Sequence, residues 1–440
     1  MHKIDRIGFA AELDRWTEAH GPVTIGLAGA GQMGTDIVVQ VAMMTGIRIG
    51  AIAASRPSRP LEAIAMAGYG EGHGVAATSP AAIDAAIEAG RIAITEDLDA
   101  LCAAGRIDVV IDATGSPEAG ARLAGSAIAN GKHIVMLNVE ADITIGRHFA
   151  EEARRAGVVY TGSAGDEPAA TLELIAFAQA LEMEIVSAGK GKNNPLDIAA
   201  VPDDYEDEAR ARNMNARMLV EFIDGSKTMV EMTAIANATG LVPDVPGMHG
   251  PKATLDDLAQ VLCTEQDGGI LSASGRVDYT IGKGVAPGVF CVVKPRHRRM
   301  VERMADLKVG PGPCFVLTRP FHLTSLETPL TAARAVLHAR PDMVALDRPV
   351  AECGARAKRD LKPGERLGKI GTADYRGFAL EWREGRRQRA LPIGLVEGAV
   401  VRAPVAAGDL LTHDNCEADA TLTVTRLRAE LDRADERHLA

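Results

Sequence analysis

Aromatic residues are scarce in this sequence: Phe, Tyr and Trp together make up 3% of 440 residues. A hydrophobic fraction of 47% and a charged fraction of 24% are nevertheless the balance of a globular enzyme, so a disordered chain is excluded. A basic excess is also lacking. The formal charge of -11 leaves no broad cationic face to neutralise a phosphate backbone, which excludes nucleic acid as a partner but allows a small phosphorylated molecule. The six cysteines, Cys102, Cys263, Cys291, Cys314, Cys353 and Cys416, are scattered and form no C-x-x-C pair. A zinc knuckle and a disulfide framework are thereby excluded, and free thiols in a reducing cytoplasm are expected. No long apolar run occurs: the first residues lack the apolar core of an export signal, and Ile37 to Ala54 is interrupted by Gln40, Gly46, Arg48 and Gly50. Neither export nor a membrane span is expected. Ser-His-Asp, H-E-x-x-H and Walker arrangements are missing too, which removes support for hydrolysis or ATP chemistry.

Strands and helices alternate from Val23 to about Thr161, after an amphipathic helix from Ile7 to His20 that carries Leu13 and Trp16 on one face. Strands are expected at Thr24–Ala28, Ile47–Ala53, Val109–Asp112 and His133–Leu137, with Pro57 to Ile94 forming a helical insertion. The alternation predicts an α/β fold with a Rossmann-type, doubly wound parallel sheet over residues 1–161. Residues 162–340 mix strands and helices without a second glycine turn and read as an α+β substrate and dimerisation domain. Short strands with Pro-Gly and Gly-Asp turns, at Lys362-Pro363-Gly364 and Gly408-Asp409, predict a small β-rich domain over 341–440. Its last helix, Thr425 to His438, reads as a solvated tail.

Gly29-Ala30-Gly31-Gln32-Met33-Gly34 follows an apolar strand and opens a helix. That context makes it a dinucleotide-binding turn: Gly29 for the turn, Gly31 for the approach of the pyrophosphate, Gly34 for helix–strand packing, with free helical N–H groups at Gln32 and Met33. Where NAD enzymes usually carry an acidic residue for the ribose, this chain has Ser55, Arg56 and Arg59. Three donors and no carboxylate point to a 2′-phosphate, hence NADPH. Thr114, Gly115, Asn138 and Glu140 lie at the carboxyl ends of later strands and are expected to line the nicotinamide half, or to serve as turn residues or helix caps.

Lys190 and Lys192, in Gly189-Lys190-Gly191-Lys192-Asn193-Asn194, suggest an anion cradle in which one lysine also serves a carbonyl. Asp166 and Glu167 could bind a cation, act as acid and base, or cap a helix. His322, Glu231 and Lys227 are further candidates for the pocket, while Arg296 to Arg299 reads as a solvated helix start.

These motifs, with Arg319-Pro320-Phe321-His322-Leu323, resemble the DXR-like reductoisomerases, relatives of homoserine dehydrogenase, and the last hundred residues look like a SAF domain. The resemblance implies a dimer of three domains that uses NADPH to convert 1-deoxy-D-xylulose 5-phosphate to 2-C-methyl-D-erythritol 4-phosphate. Lys190, Lys192, Glu167, His322 and Glu231 would be catalytic; Asp166, Asn193, Asn194 and Lys227 would bind substrate. Mg2+ or Mn2+ is left open as a further requirement. The competing expectations are an NADP-linked dehydrogenase of a small hydroxy acid or aldehyde, and a carbohydrate-binding or assembly protein working through its SAF-like part.

Overall fold

The computed structural model describes residues 4–212 and 214–439. They form two compact units: one runs to Asp166 and takes back Leu323–Val344, and the other comprises Glu167–His322 and the residues from Ala345 on.

In the first unit seven strands form one sheet: β1 (Val23–Ala28), β2 (Ile47–Ala53), β3 (Gly74–Ala76), β4 (Ile92–Thr95), β5 (Val109–Asp112), β6 (His133–Met136) and β7 (Tyr160–Gly162). Their order is β3-β4-β2-β1-β5-β6-β7 and every pairing is parallel. A parallel sheet is covered on both faces, which is why β1 and β5 are buried at every position. The expected Rossmann-type sheet is therefore present, with one correction. Residues 57–94 are more than a helical insertion: besides the helices Ser58–Met66 and Pro80–Glu88 they supply β3, and β4 follows, so the segment extends the sheet past β2.

The order reverses between β1 and β5, and this crevice at the carboxyl ends of the strands is where a dinucleotide lies in such folds. Helix Thr328–His338, although distant in sequence, packs on β1, β5 and β6, and Ala332 and Ala333 join the apolar cluster of Ile25, Leu27, Val109 and Ile111.

The second unit is built on a mixed sheet: β8 (Glu184–Gly191), β9 (Val242–Pro243), β10 (Arg276–Thr280), β11 (Val289–Lys294) and β12 (Phe315–Arg319), in the order β12-β11-β8-β10-β9. β8 sits at its centre, parallel to β10 and antiparallel to β11. Two hairpin-like pairs follow, β13 (Ala351–Ala357) with β14 (Tyr375–Glu381) and β15 (Val400–Val401) with β16 (Cys416–Glu417). β13 and β14 lie against helix Ser226–Thr239, where the Gly377 N–H donates to the Ser226 hydroxyl at 2.8 Å.

The last helix, Thr423–Leu439, departs from the solvated tail expected. Val424 is buried, and the equally buried Arg428 donates to Glu352 on β13 and, through Nε at 2.9 Å, to Asp432. Helical spacing of charge marks a solvated face only when the charges have no partner elsewhere in the fold.

Candidate functional site

The glycine turn of the first unit has the geometry its sequence predicts. Gly29 has φ of 100°, and a Cβ there would stand 2.4 Å from the Ala113 carbonyl oxygen. A Cβ on Gly34 would stand 2.2 Å from the Gly29 carbonyl, so helix Gln32–Ala42 can approach β1 only without a side chain. Gly31 has open space within 4 Å on its Cβ side, a cradle for an anion facing the first helical N–H groups. The Gly29 N–H donates to Ala53 at 2.8 Å, which fixes the end of β2 beside the turn. Ser55 and Arg56 follow directly and are exposed; Arg59 is exposed as well, with only a 3.8 Å contact to Glu62. The residues present thus fit a dinucleotide.

Thr114 and Asn138 are less free than expected. Both are held by Asp112, a fully buried carboxyl that sequence reasoning did not single out: it accepts from the Thr114 hydroxyl at 2.6 Å, the Thr114 N–H at 2.9 Å and the Asn138 amide at 3.0 Å. Burial raises the Asp112 carboxyl above its ordinary value, and the Thr114 and Asn138 hydrogen bonds oppose the rise. Asn138 also accepts from Ala141 N–H at 3.2 Å, capping helix Val139–Ala156, in whose first turn Glu140 is buried. Their side chains serve the crevice by holding its walls. Gly115, at φ 64° and with open space beside it, remains next to that crevice.

The second unit gathers four of the expected catalytic residues. Lys190, on the central strand β8, donates to Glu167 Oε1 at 2.6 Å and to Glu231 Oε2. Glu167 opens helix Glu167–Ala180 and Glu231 lies in helix Ser226–Thr239; all three side chains are buried. His322 stands beside them, Nε2 lying 3.4 Å from Glu167 Oε1, while Nδ1 donates to the Pro287 carbonyl at 2.5 Å. A carbonyl only accepts, so this contact places a proton on Nδ1.

Burial works against the Lys190 ammonium, but Glu167 and Glu231 outweigh it and hold the group above its ordinary value. Glu231 is pushed up to about 7 by burial and by Glu167, with Lys190 and Lys227 opposing. Lys227, half-buried one turn earlier on the same helix, reaches this centre through its charge. Burial first, and Lys190 second, bring the Lys192 ammonium down to about 8.

The anion cradle expected at Gly189 to Lys192 needs correction. Gly189 to Gly191 end β8 and Lys192 follows it, and the Gly191 and Lys192 N–H groups donate to Gly288 at 3.0 Å and Thr280 at 2.7 Å. Their glycines serve strand packing: a Cβ on Gly189 would stand 1.7 Å from the Asp278 carbonyl oxygen and one on Gly191 2.2 Å from Ala286 N. Lys192 Nζ donates to the carbonyls of Asn194 at 2.6 Å and Pro195 at 3.1 Å. Asn193 is exposed, and the Asn194 side chain accepts from Arg212 at 2.9 Å. Asp166, also buried, is the last residue of the first unit before Glu167 opens its helix.

One neighbour had no sequence signal. Tyr279 on β10 is the register partner of Lys190, two strands apart in sequence yet adjacent in the sheet. The basic run at 296–299 does start a helix, Arg298–Asp306, and its arginines pair with the surface carboxylates Glu182 and Glu302.

Two family models match the chain. The model described as "Oxidoreductase DRL, catalytic domain" spans residues 165–328, and "Homoserine dehydrogenase, NAD binding domain" spans 29–161. No curated protein matches. Among solved structures, a probable dehydrogenase from Thermotoga maritima is 15% identical, covers 73% of this chain and 91% of its own, and has a TM-score of 0.42. The 1-deoxy-D-xylulose 5-phosphate reductoisomerase from Zymomonas mobilis in complex with NADPH is 16% identical, covers 48% and 56%, and has a TM-score of 0.34. No helix among the described residues is long and apolar enough to cross a membrane. With the glycine turn of the first unit and the DRL match over the segment that holds Glu167, Lys190, Glu231 and His322, the chain is an oxidoreductase with a nicotinamide-dinucleotide-binding domain.

Proposed function

We propose that this oxidoreductase is an NADPH-dependent reductoisomerase that converts 1-deoxy-D-xylulose 5-phosphate to 2-C-methyl-D-erythritol 4-phosphate, a step of isoprenoid biosynthesis, as a cytoplasmic homodimer. The observation that carries the reading is the Lys190 ammonium held between Glu167 and Glu231, inside the segment that matches the DRL catalytic domain.

Bound NADPH supplies the hydride that reduces the aldehyde left by the carbon-skeleton rearrangement. Lys190 has three N–H donors and two are taken by carboxylates, so the third is available to a substrate oxygen. A buried ammonium held in place stabilises negative charge on that oxygen as the carbonyl is polarised and later reduced. The strongly held Lys190 proton makes it an electrostatic stabiliser, while burial and the neighbouring Glu167 push the Glu231 carboxyl upward, which suits a group that holds and releases a proton. His322 lies against Glu167, its ring anchored by the Pro287 carbonyl. Mg2+ or Mn2+ would be held by the carboxylates of Asp166, Glu167 and Glu231, whose oxygens lie within 4.8 Å of one another, and would supply a Lewis acid for the substrate carbonyl. Ser55, Arg56 and Arg59 support NADPH over NADH, because each can donate to a 2′-phosphate and no carboxylate of theirs repels it.

NADPH consumption with 1-deoxy-D-xylulose 5-phosphate, measured with and without Mg2+ or Mn2+, tests the reading. Turnover supports it, and absence of turnover in both conditions overturns it. A second reading, an NADP-linked dehydrogenase of a small hydroxy acid, is favoured by the homoserine dehydrogenase match over 29–161. Oxidation of homoserine without turnover of the sugar phosphate would select it.

A further inference from the structure

Arg356 on β13 and Arg376 on β14 are register partners in an antiparallel pair. Side chains directly opposite each other on such a pair share one face, and like charges there repel. Both converge on one ring: the Arg356 guanidinium lies 3.8 Å and that of Arg376 5.5 Å from the Phe378 centroid. Both residues are half-buried, and the Arg356 Nε is buried with no hydrogen-bond partner.

Other sheltered arginines in the second unit have carboxylate partners: Arg428 has Glu352 and Asp432, Arg386 has Asp432 and Glu436, Arg276 has Asp244. Arg356 and Arg376 have none within salt-bridge distance among the described residues. Asp224 acts on Arg376 through its charge but is paired with Lys358 at 2.5 Å, both side chains being fully buried. Burial lowers the Arg376 guanidinium from its ordinary value, Asp224 offsets part of that, and Arg356 adds to it.

The pair also shares neighbours with the Lys190 centre. Tyr279, register partner of Lys190, interacts electrostatically with Arg376, and β14 is seated through Gly377 on the helix that carries Glu231. Two planar forks meeting over an aromatic ring, without a counter-ion of their own, suit a dianion that each can grip with two N–H groups.

We infer that Arg356 and Arg376 form the subsite for the phosphoryl group of the substrate, placing its anionic end on the β13–β14 pair and its reacting oxygens at Lys190. This rests on the reading that the substrate is phosphorylated, and moves the anchor away from Lys190 and Lys192. The appended C-terminal segment thereby completes the substrate pocket.

The test uses the full-length protein and inorganic phosphate, by calorimetry and thermal shift, with Arg356→Gln, Arg376→Gln, Arg376→Lys and, as control, Arg389→Gln, whose side chain is exposed and pairs with Asp414. Saturable phosphate binding to the wild type is expected, weakened at least about tenfold in either Gln variant, less in Arg376→Lys, and unchanged in the control. Removing one of two facing cations should leave the phosphate-free melting temperature equal or higher at low salt, so a lost response is not a lost fold. NADPH affinity should stay the same. No phosphate binding by the wild type, or equal binding by the Gln variants, overturns the inference. Phosphate binding lost in the variants without any turnover of 1-deoxy-D-xylulose 5-phosphate would retain the subsite and remove the reductoisomerase. Turnover with an unchanged KM in both Gln variants would do the reverse.

Discussion

The Tyr160 hydroxyl donates to Asp142 Oδ1 at 2.8 Å in the interior of the first unit, where both side chains are buried. Burial raises the Asp142 carboxyl from 3.8 to about 6, the Tyr160 bond opposing the rise. The fold therefore prefers the protonated acid. Its contribution to stability is complete below pH 3.8 and is lost as pH rises through about 6. Asp142→Asn keeps an acceptor for Tyr160 and removes the charge. At pH 8 it should be more stable than the wild type by roughly 3 kcal/mol, because a tenfold change in proton affinity is worth about 1.36 kcal/mol. Chemical denaturation at pH 8 and pH 4 checks this; a gap that does not close at low pH refutes it.

Lys190→Met should lower kcat by about two to three orders of magnitude, the usual cost of losing a donor aimed at developing charge. NADPH affinity, a property of the first unit, should remain. Because Glu167 and Glu231 would be left buried without their cation, the variant should also lose stability, by about 3–5 kcal/mol. Fluorescence titration of NADPH beside steady-state rates separates these effects.

Gly31 and Gly34 should respond differently to substitution. Gly31→Leu fills the open side of the turn and should weaken NADPH binding by at least about tenfold while sparing the melting temperature. Gly34→Ala drives a methyl group into the Gly29 carbonyl and should lower both. Equal melting temperatures for the two variants would contradict the packing role of Gly34.

Cofactor choice should follow the end of β2. Ser55→Asp with Arg56→Ala puts a carboxylate where the 2′-phosphate would lie, and removes a charge-assisted bond worth about 1.5–3 kcal/mol. The ratio of NADPH to NADH affinity should fall by at least about tenfold, read from two titrations.

The first unit was largely legible in the sequence because its signals are local. β1, the turn from Gly29 to Gly34 and β2 are neighbours along the chain, and each glycine performs a task that spacing alone defines. The centre at Lys190 was legible as a set of residue types and not as a geometry. Gly189 and Gly191 resemble an anion loop in sequence, yet they are glycine because β10 and the Ala286 backbone press against β8. Tyr279 and the Arg356–Arg376 pair come from strands far along the chain, and their meeting is a matter of sheet order and register that no spacing records. Asp112 was visible only as the end of a strand; its role depends on Asn138 reaching back from the start of a later helix.

The helix Thr328–His338 that closes the apolar face of the parallel sheet is encoded after residues 167–322. On the ribosome the dinucleotide-binding unit is therefore synthesised open, with the site for Ala332 and Ala333 unfilled until that whole intervening stretch has emerged. A truncation that ends at Asp166 would leave Ile25, Leu27, Val109 and Ile111 without part of their cover. The cover of the nucleotide-binding sheet is thus coupled to synthesis of Thr328–His338, and is complete only once the segment holding Lys190 already exists.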